Sequence, residues 1–486
     1  MDKLEHQRET TEFLHVKENH VNGVRQKTFA DGLSAGNGAD GGGVLSAGRI
    51  SLAIMLFLFI FTHRGIMGQN DLSRFVAVGS LVNHGVFHID NSPWTKRMVE
   101  EDGTRYHLMN DLAYKEKNDR FYSSKPPVLT IILAGVLKPL QVLGAEFKFI
   151  RPHDAMPTFL LTWLVIGSVS AAGFYAFHRV LADYISGNEV AIVTILALGG
   201  TLFLTYSTTM NHHTFTATLI LIAFFMLGMH KARKRVRPVH AGVGGLLMGL
   251  AVTVDCGHGF VFSILFGLYL VFYTHSLPVV LAFGLGAVPP LALHCVVQYS
   301  IWGSILPVQM LGATRFEEAY WSYARGPDAW DIARWKYWLL TLFSTRGLFT
   351  LSPILLLGIS GLAAALRDSW KGLCGSKKPD PGPAYVALTV LAGMLILLVE
   401  YSFRARTNFC GACFGFRWYI GFSPLLSWYA ARAWVRWRDS KRFRHIFYVL
   451  GVISLMYALI GMQDPWLLME NNPHPAVRIL LFIRGF

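Results

Sequence analysis

Eight of the chain's 30 carboxylates fall between residues 63 and 126, a stretch that closes on Tyr122-Ser123-Ser124-Lys125-Pro126-Pro127. Asp71 leads the group, with Arg74 three residues on and Asp90, Asp111, Asp119 and Lys125 following. A positioned carboxylate can take the proton of an attacking hydroxyl, and cations beside it can hold a phosphate leaving group. Asp71 also opens an amphipathic run, Leu72, Phe75, Val76, Val78, Leu81 and Val82, at helical spacing. Aspartate at a helix start commonly caps it, so base and cap both stand at this point.

The elements that must position these residues are read from composition. Of 486 residues, 53% are hydrophobic and 15% charged, well below the charged share of a soluble domain. Apolar segments near the length that crosses a hydrocarbon core recur along the chain. Twelve are read, near 45–62, 127–143, 157–177, 190–207, 213–230, 240–256, 259–275, 278–298, 348–366, 384–401, 418–435 and 446–462. Backbone groups in lipid find no water, so these segments are expected to be helices. They are too long and too continuously apolar for a barrel of alternating strands.

The 44 Lys and Arg residues cluster beside short connections: five in Lys231 to Arg237, four in Arg367 to Lys378 and six in Arg432 to Arg444. That is the positive-inside pattern rather than a nucleic-acid surface, which would interleave aromatics. No nucleic-acid partner is expected. The three basic loops share one side by crossing count, but the five segments before Lys231 leave the N-terminus on the wrong side. The conflict resolves if segment 127–143, short and interrupted by Lys138-Pro139, does not cross completely. Residues 63–126, 208–212, 299–347 and 402–417 then all face outward.

Residues 1–43 are polar, end in the glycine-rich stretch Gly36 to Gly43, and read as a flexible cytoplasmic tail without a removable signal peptide. A catalytic membrane module is expected over 44–366, with further membrane helices over 367–486. The five cysteines build no disulfide framework. Cys410-Gly411-Ala412-Cys413 has the spacing of a zinc half-site with nothing to complete it, so a disulfide or two ordinary small residues stand ahead of a metal.

Three stretches in order carry a resemblance: Asn70-Asp71-Leu72-Ser73-Arg74, then Gly85-Val86-Phe87-His88-Ile89-Asp90, then Arg120-Phe121-Tyr122-Ser123-Ser124-Lys125-Pro126-Pro127. Together they resemble the first external loop of the GT-C glycosyltransferases that use phospholipid carriers, similar to protein O-mannosyltransferases and the lipid A aminoarabinose transferase. Leu342-Phe343-Ser344-Thr345-Arg346-Gly347-Leu348-Phe349, running to Ser352-Pro353, and Cys413-Phe414-Gly415-Phe416-Arg417-Trp418 agree. Phe416 stands where many relatives have Pro, and Ser124 where many have Asp. The resemblance implies an all-α polytopic membrane protein of GT-C-like build, with about 11–12 transmembrane helices and short interfacial helices in its large first external loop. It implies Asp71 as catalytic base and Lys125, Arg346 and Arg417 at positions suited to the donor's phosphate. Arg74, Asp90, Asp111 and Tyr122 complete the expected substrate-binding set in the loop. Some family members use a divalent cation and others none, so the cofactor stays open. The implied partners are a polyprenyl-phosphate-linked sugar, a lipid, glycan or protein acceptor, and membrane lipids, with the site on the extracytoplasmic side of the plasma (inner) membrane.

Residues outside the first loop add candidates. Asp255 and His258 flank Gly257 at a helix break, where an ionisable group is a functional candidate by default, and Asp255 joins the substrate-binding set. Asn211-His212-His213 reads as substrate contact or helix cap, and Glu400 as a partner for Arg404 or Arg406. Trp302, Trp321, Trp330, Trp335 and Trp338 form either an interfacial belt or a sugar-stacking surface. No Gly-x-Gly-x-x-Gly opens a helix after a strand, in keeping with a lipid-linked rather than nucleotide donor. The rival reading is a transporter or flippase of lipid-linked sugars, which would show inverted repeats; none is visible.

Overall fold

A computed structural model describes residues 46–66, 68–92, 95, 97–99, 105–107, 109, 111–142, 155–308, 333–374, 380–403 and 413–466. The tail 1–43, Trp321, Trp330, Lys377, Lys378, Arg404, Arg406 and Cys410 lie outside the described residues.

In chain order the helices begin with α1 (Ala47–Phe61) and α2 (Gln69–His84). Two hairpins follow, β1 (Arg97–Val99) with β2 (Arg105–His107), and β3 (Leu112–Lys115) with β4 (Arg120–Ser123). Then come α3 (Pro127–Val142), α4 (Met156–Leu181), α5 (Glu189–Gly199), α6 (Leu202–Tyr206), α7 (His212–Met226) and α8 (Pro238–Val254). The remainder is α9 (Cys256–Thr274), α10 (Leu277–Trp302), α11 (Arg334–Phe343), α12 (Leu348–Leu351), α13 (Leu355–Cys374), α14 (Gly382–Phe403), α15 (Ser423–Trp437) and α16 (Lys441–Gln463).

All twelve apolar segments contain helix, which makes the chain an all-α polytopic membrane protein, but their lengths differ from the expectation. Among the described residues, five helices are long and apolar enough to cross a membrane: α4, α9, α10, α14 and α16. A sixth span results if the helices at Arg334–Leu351 and Leu355–Trp370, bent by 97° where Ser352-Pro353 interrupts them, count as one. The rest are shortened by polar or glycine punctuation: α8 stops at Asp255, and α5 ends at Gly199-Gly200 before α6 restarts at Leu202. Length does not single out 127–143, because α1 and α7, at 15 residues each, are shorter than the 16 of α3.

The amphipathic run after Asp71 does form a helix, α2, and buries Leu72, Phe75, Val76, Val78 and Val82. Gly85, at φ 70°, ends it in a conformation that glycine adopts without strain. The hairpins were absent from the sequence expectation of helices alone in this loop. Leu72, Val76 and Ala77 of α2 meet Ile89, Met109 and Leu112 in a small apolar cluster beneath β3 and β4.

The main core runs through the helical bundle, and its tightest joint is α8 against α10. Gly245, Gly249 and Gly286 let the two backbones touch: a Cβ at Gly245 would lie 1.9 Å from the Phe283 carbonyl oxygen, and one at Gly286 2.0 Å from that of Gly242. Small residues at such crossings replace the hydrophobic drive that lipid cannot supply. Gly286→Ala is therefore expected to destabilise the protein by about 1–3 kcal/mol, read as a lowered melting temperature in detergent. Gly284→Ala, with nothing within 4 Å of its new Cβ, should melt at or above the wild-type temperature; equal effects of the two would refute the joint.

Candidate active site

The site starts on the first turn of α2. Gly68 occupies the cap position, while the carboxylate of Asp71, 1% exposed, receives a hydrogen bond from Thr209 Oγ1 at 3.4 Å. Thr209 is itself fixed by Trp466, whose Nε1 donates to its Oγ1 at 2.7 Å. Arg74, one turn along the same face and also 1% exposed, places Nη2 3.5 Å from His212 Nδ1. Burial pulls the Arg74 guanidinium down to about 10, against the attraction of Asp71, Asp111 and Asp255 around it.

The β3–β4 hairpin brings the second cation. Its turn passes through Asp119 at φ 51°, where the Asp119 carboxylate accepts from Tyr114 Oη at 2.5 Å. Ser73 of α2 clasps the hairpin, donating to the Asp111 carbonyl at 2.7 Å and lying 2.6 Å from Ser123 Oγ. Lys125 then reaches back to Asp111, Nζ to Oδ2 2.9 Å, with the lysine side chain half-buried at 14% exposure and the carboxylate buried at 5%. Burial lowers the Lys125 pKa below the ordinary lysine value, with nearby Arg417 and Arg74 adding to the effect and Asp111 opposing it. Ser124 is buried and its N–H donates to the Asp111 carbonyl at 3.1 Å.

A third group comes from helix ends far along the chain. Asp255 sits at the break between α8 and α9, a turn that Gly259 permits: a Cβ there would lie 2.3 Å from the Ala251 backbone. Asp255 Oδ2 meets His213 Nδ1 at 2.8 Å and His258 Nδ1 at 2.9 Å. His258 Nε2 lies 2.6 Å from the Trp418 carbonyl oxygen, so both of its nitrogens face acceptors. Asn211 is the N-cap of α7, accepting from Thr214 N–H at 2.8 Å. The capping role thus describes Asn211 but not the two histidines after it.

The late motifs converge on the same place. The Phe416 N–H donates to the Arg346 carbonyl at 3.1 Å, joining the two stretches, and Gly415 turns the chain at φ 74°. Tyr206 Oη lies in reach of both the Phe414 and Pro465 carbonyls, at 2.9 and 3.0 Å, and holds this turn against α6. Phe416 is buried among Tyr337, Trp418 and Tyr419. Arg417, 9% exposed, lies over the Trp466 ring at 4.6 Å, within electrostatic reach of Lys125 and His213.

Asp71, Arg74, Asp111, Lys125, Asp255 and Arg417 therefore gather in one buried, charged cluster. Tyr122 lies beside it, lining with Lys125, Gln298 and Trp302 a cleft between the hairpin and α10, its ring 5.1 Å from that of Trp302. Lys115 Nζ donates to the Ile301 carbonyl and pins the hairpin there. Asp90 takes a structural position: it accepts from Phe121 N–H at 3.0 Å and pairs with His88 at 2.9 Å and Arg120 at 3.7 Å. Arg346 enters through its backbone contact with Phe416. Glu400 lies beside Gly257 near His258. Trp335 is exposed, and Trp338 donates to the Leu398 carbonyl at 3.1 Å.

The sequence offered His212 and His213 as substrate contact or cap and His258 as a candidate at a helix break, without placing the three in the substrate-binding set. His212, His213 and Asp255 each offer a ligand atom within 4.8 Å of the others. Two imidazole nitrogens with one carboxylate oxygen suit a borderline cation such as Zn²⁺ better than the all-oxygen shell of Mg²⁺.

No protein-family model matches the chain, and no curated protein does. Among solved structures, the chain is similar to the archaeal oligosaccharyltransferase AglB from Archaeoglobus fulgidus in complex with an inhibitory peptide and a dolichol-phosphate, at 12% identity and TM-score 0.43. It is similar to an oligosaccharyltransferase of the same organism in its apo form, at 10% identity and TM-score 0.44. Each match covers 89% of this chain, which spans 59% of the length of either oligosaccharyltransferase chain. ArnT from Cupriavidus metallidurans bound to undecaprenyl phosphate is similar at 13% identity and TM-score 0.41, over 90% of this chain and 72% of that one.

The buried Lys125–Asp111 pair makes a direct prediction. Asp111→Asn leaves the lysine charge without its carboxylate and is expected to cost about 3–5 kcal/mol. The double variant Asp111→Asn, Lys125→Met should recover part of that loss. Thermal melting of both in detergent checks this; an Asp111→Asn protein as stable as wild type would show that the pair does not hold the hairpin end.

Proposed function

We propose that this chain is an integral-membrane glycosyltransferase that moves a sugar from a polyprenyl-phosphate donor to a hydroxyl acceptor on the extracytoplasmic face, with Asp71 as base. The observation that carries the proposal is the gathering of Arg74, Lys125 and Arg417, largely buried cations drawn from separate segments, within electrostatic reach of one another through Lys125, with Asp71 beside Arg74. Burying three cations is costly unless anions answer them, and the carboxylates Asp71, Asp111 and Asp255 match them in number. A phosphate would be held by the hydrogen-bond donors of these cations rather than by an excess of positive charge. Arginine offers a planar fork and lysine a point charge, both common phosphate partners.

In the displacement, a lone pair of the acceptor oxygen attacks the anomeric carbon as the bond from that carbon to the phosphate oxygen breaks. The electron pair leaves on the polyprenyl phosphate, whose charge Lys125 and Arg417 stabilise, and the acceptor's proton passes to the Asp71 carboxylate. The cleft beside Tyr122 and Trp302 leads to Lys125 and gives the lipid a route from α10. Asp255, held by two histidines, orients them rather than taking the proton. A divalent cation at His212, His213 and Asp255 would supply further positive charge facing the phosphate.

Asp71→Asn should fold and lower kcat by about 10²–10⁴-fold, measured as polyprenyl phosphate released from a lipid-linked sugar. Retained turnover removes Asp71 from the mechanism. A protein that moves labelled lipid between leaflets without releasing polyprenyl phosphate is a flippase instead.

The cations set the alkaline limb. A cation with a lowered pKa keeps its proton only below that value, so its charge is lost earlier as pH rises. With Lys125 below its ordinary 10.5 and Arg74 at about 10, kcat/KM is expected to fall as pH rises through this range. Lys125→Arg should move upward the part of the limb that Lys125 sets, since arginine ordinarily keeps its proton to higher pH; an unmoved limb excludes Lys125 as its origin.

A further inference from the structure

A second cleft lies at the other end of the bundle. The α7 helix leaves the active site at His212 and ends at Met226, about 22 Å away at 1.5 Å per residue. There Met229 and His230 line a cleft with residues of α13, α14 and α15. No residue of the proposed transferase site belongs to it.

Its construction is amphiphilic. The floor is made by Gly361, Ala364 and Ala433, and is tight because α13 and α15 touch: a Cβ on Gly361 would lie 2.2 Å from the Tyr429 carbonyl oxygen. Trp428 and Tyr429 wall it. Arg432 and Arg436, one turn apart on α15, line it together with the carboxylate Asp368. Each is held in place: the Arg432 guanidinium lies over the Tyr184 ring at 4.5 Å, and Arg436 forks onto Asp368 at 2.5 and 3.3 Å. Lys231 also approaches the Tyr184 ring, at 5.9 Å. Positioned arginines over a floor of small apolar side chains, at the level of the basic loops, match a lipid phosphate with its glycerol and first methylenes.

We infer that this cleft binds the headgroup of an anionic glycerophospholipid, with Arg432 and Arg436 on the phosphate and the α13–α15 floor under the glycerol. The site anchors the ends of α7, α13 and α15 to the leaflet opposite the chemistry. Its occupant is a bilayer lipid, distinct from the polyprenyl carrier.

The test is native mass spectrometry of the full-length protein released from nanodiscs of phosphatidylglycerol or of phosphatidylcholine, with inorganic phosphate and polyprenyl phosphate as competitors. Wild type is expected to retain phosphatidylglycerol in preference to phosphatidylcholine, and Arg432→Gln to weaken retention by about tenfold. Ala364→Leu, which fills the floor and leaves every charge in place, should weaken it comparably and covers the case in which Arg432→Gln does not fold. Arg442→Gln, an exposed basic residue outside the cleft, should leave retention unchanged. Equal retention of the two lipids, equal loss in Arg442→Gln, displacement by inorganic phosphate alone, or preferential filling by polyprenyl phosphate would each overturn the assignment.

Discussion

Burial of Arg74 constrains much of the first loop and the helix ends around it. A guanidinium at 1% exposure keeps its charge only where anions and dipoles replace its lost water. Those groups come from α2 itself, from the hairpin at Asp111, and from the α8–α9 break at Asp255. Each of these segments is shaped so that its carboxylate arrives. The Ser73 clasp sets the height of the hairpin over α2, Asp119 makes its turn, and Gly259 lets α9 fold back on α8. The loop is thus an inner wall of the protein whose polar face points inward.

That constraint explains why Lys125 sits where it does. The Lys-Pro-Pro end of the loop joins β4 to α3, and proline at the first position of α3 needs no backbone donor there. The chain can therefore pass from strand to helix in one step, leaving Lys125 at the corner with its side chain turned toward Asp111 rather than toward lipid. Lys138 Nζ, donating to the Val82 carbonyl at 3.1 Å, fixes the far end of α3 to α2. The interruption that looked like a weakness in a membrane span is a joint to the loop.

What could be read from the sequence follows the range of the signals. The apolar segments and the α2 amphipathic run are local patterns, and each became a helix. The approach of Arg417 to Lys125 was reached through motif order, since nothing in composition places residue 417 near residue 125. The hairpins escaped because their strands are three or four residues long and carry no clean alternation over that length. His213 and His258 were named as candidates, but their meeting at one carboxylate was not legible. Beside Asn211, a histidine at a helix start reads as part of a cap. Its partner Asp255 lies 42 positions away, at a break whose sharpness depends on glycine contacts that only the fold creates.

Asp71 and Asp255 have different capacities, and the difference supports the proposal of Asp71 rather than Asp255 as base. Asp255 offers Oδ2 to two histidine nitrogens at 2.8 and 2.9 Å, and one of those rings is anchored at its far nitrogen on a main-chain carbonyl. To take a substrate proton it would have to give up hydrogen bonds that hold α7, α9 and the Trp418 turn together. Asp71 faces a hydroxyl, Thr209, at the longer distance of 3.4 Å, and a hydroxyl can rotate to follow a carboxylate as it gains a proton. General-base work requires a carboxylate that can exchange one partner for another within hydrogen-bond reach. Its neighbourhood fits Asp71 for that exchange, whereas Asp255 is fitted to keep its histidines in place.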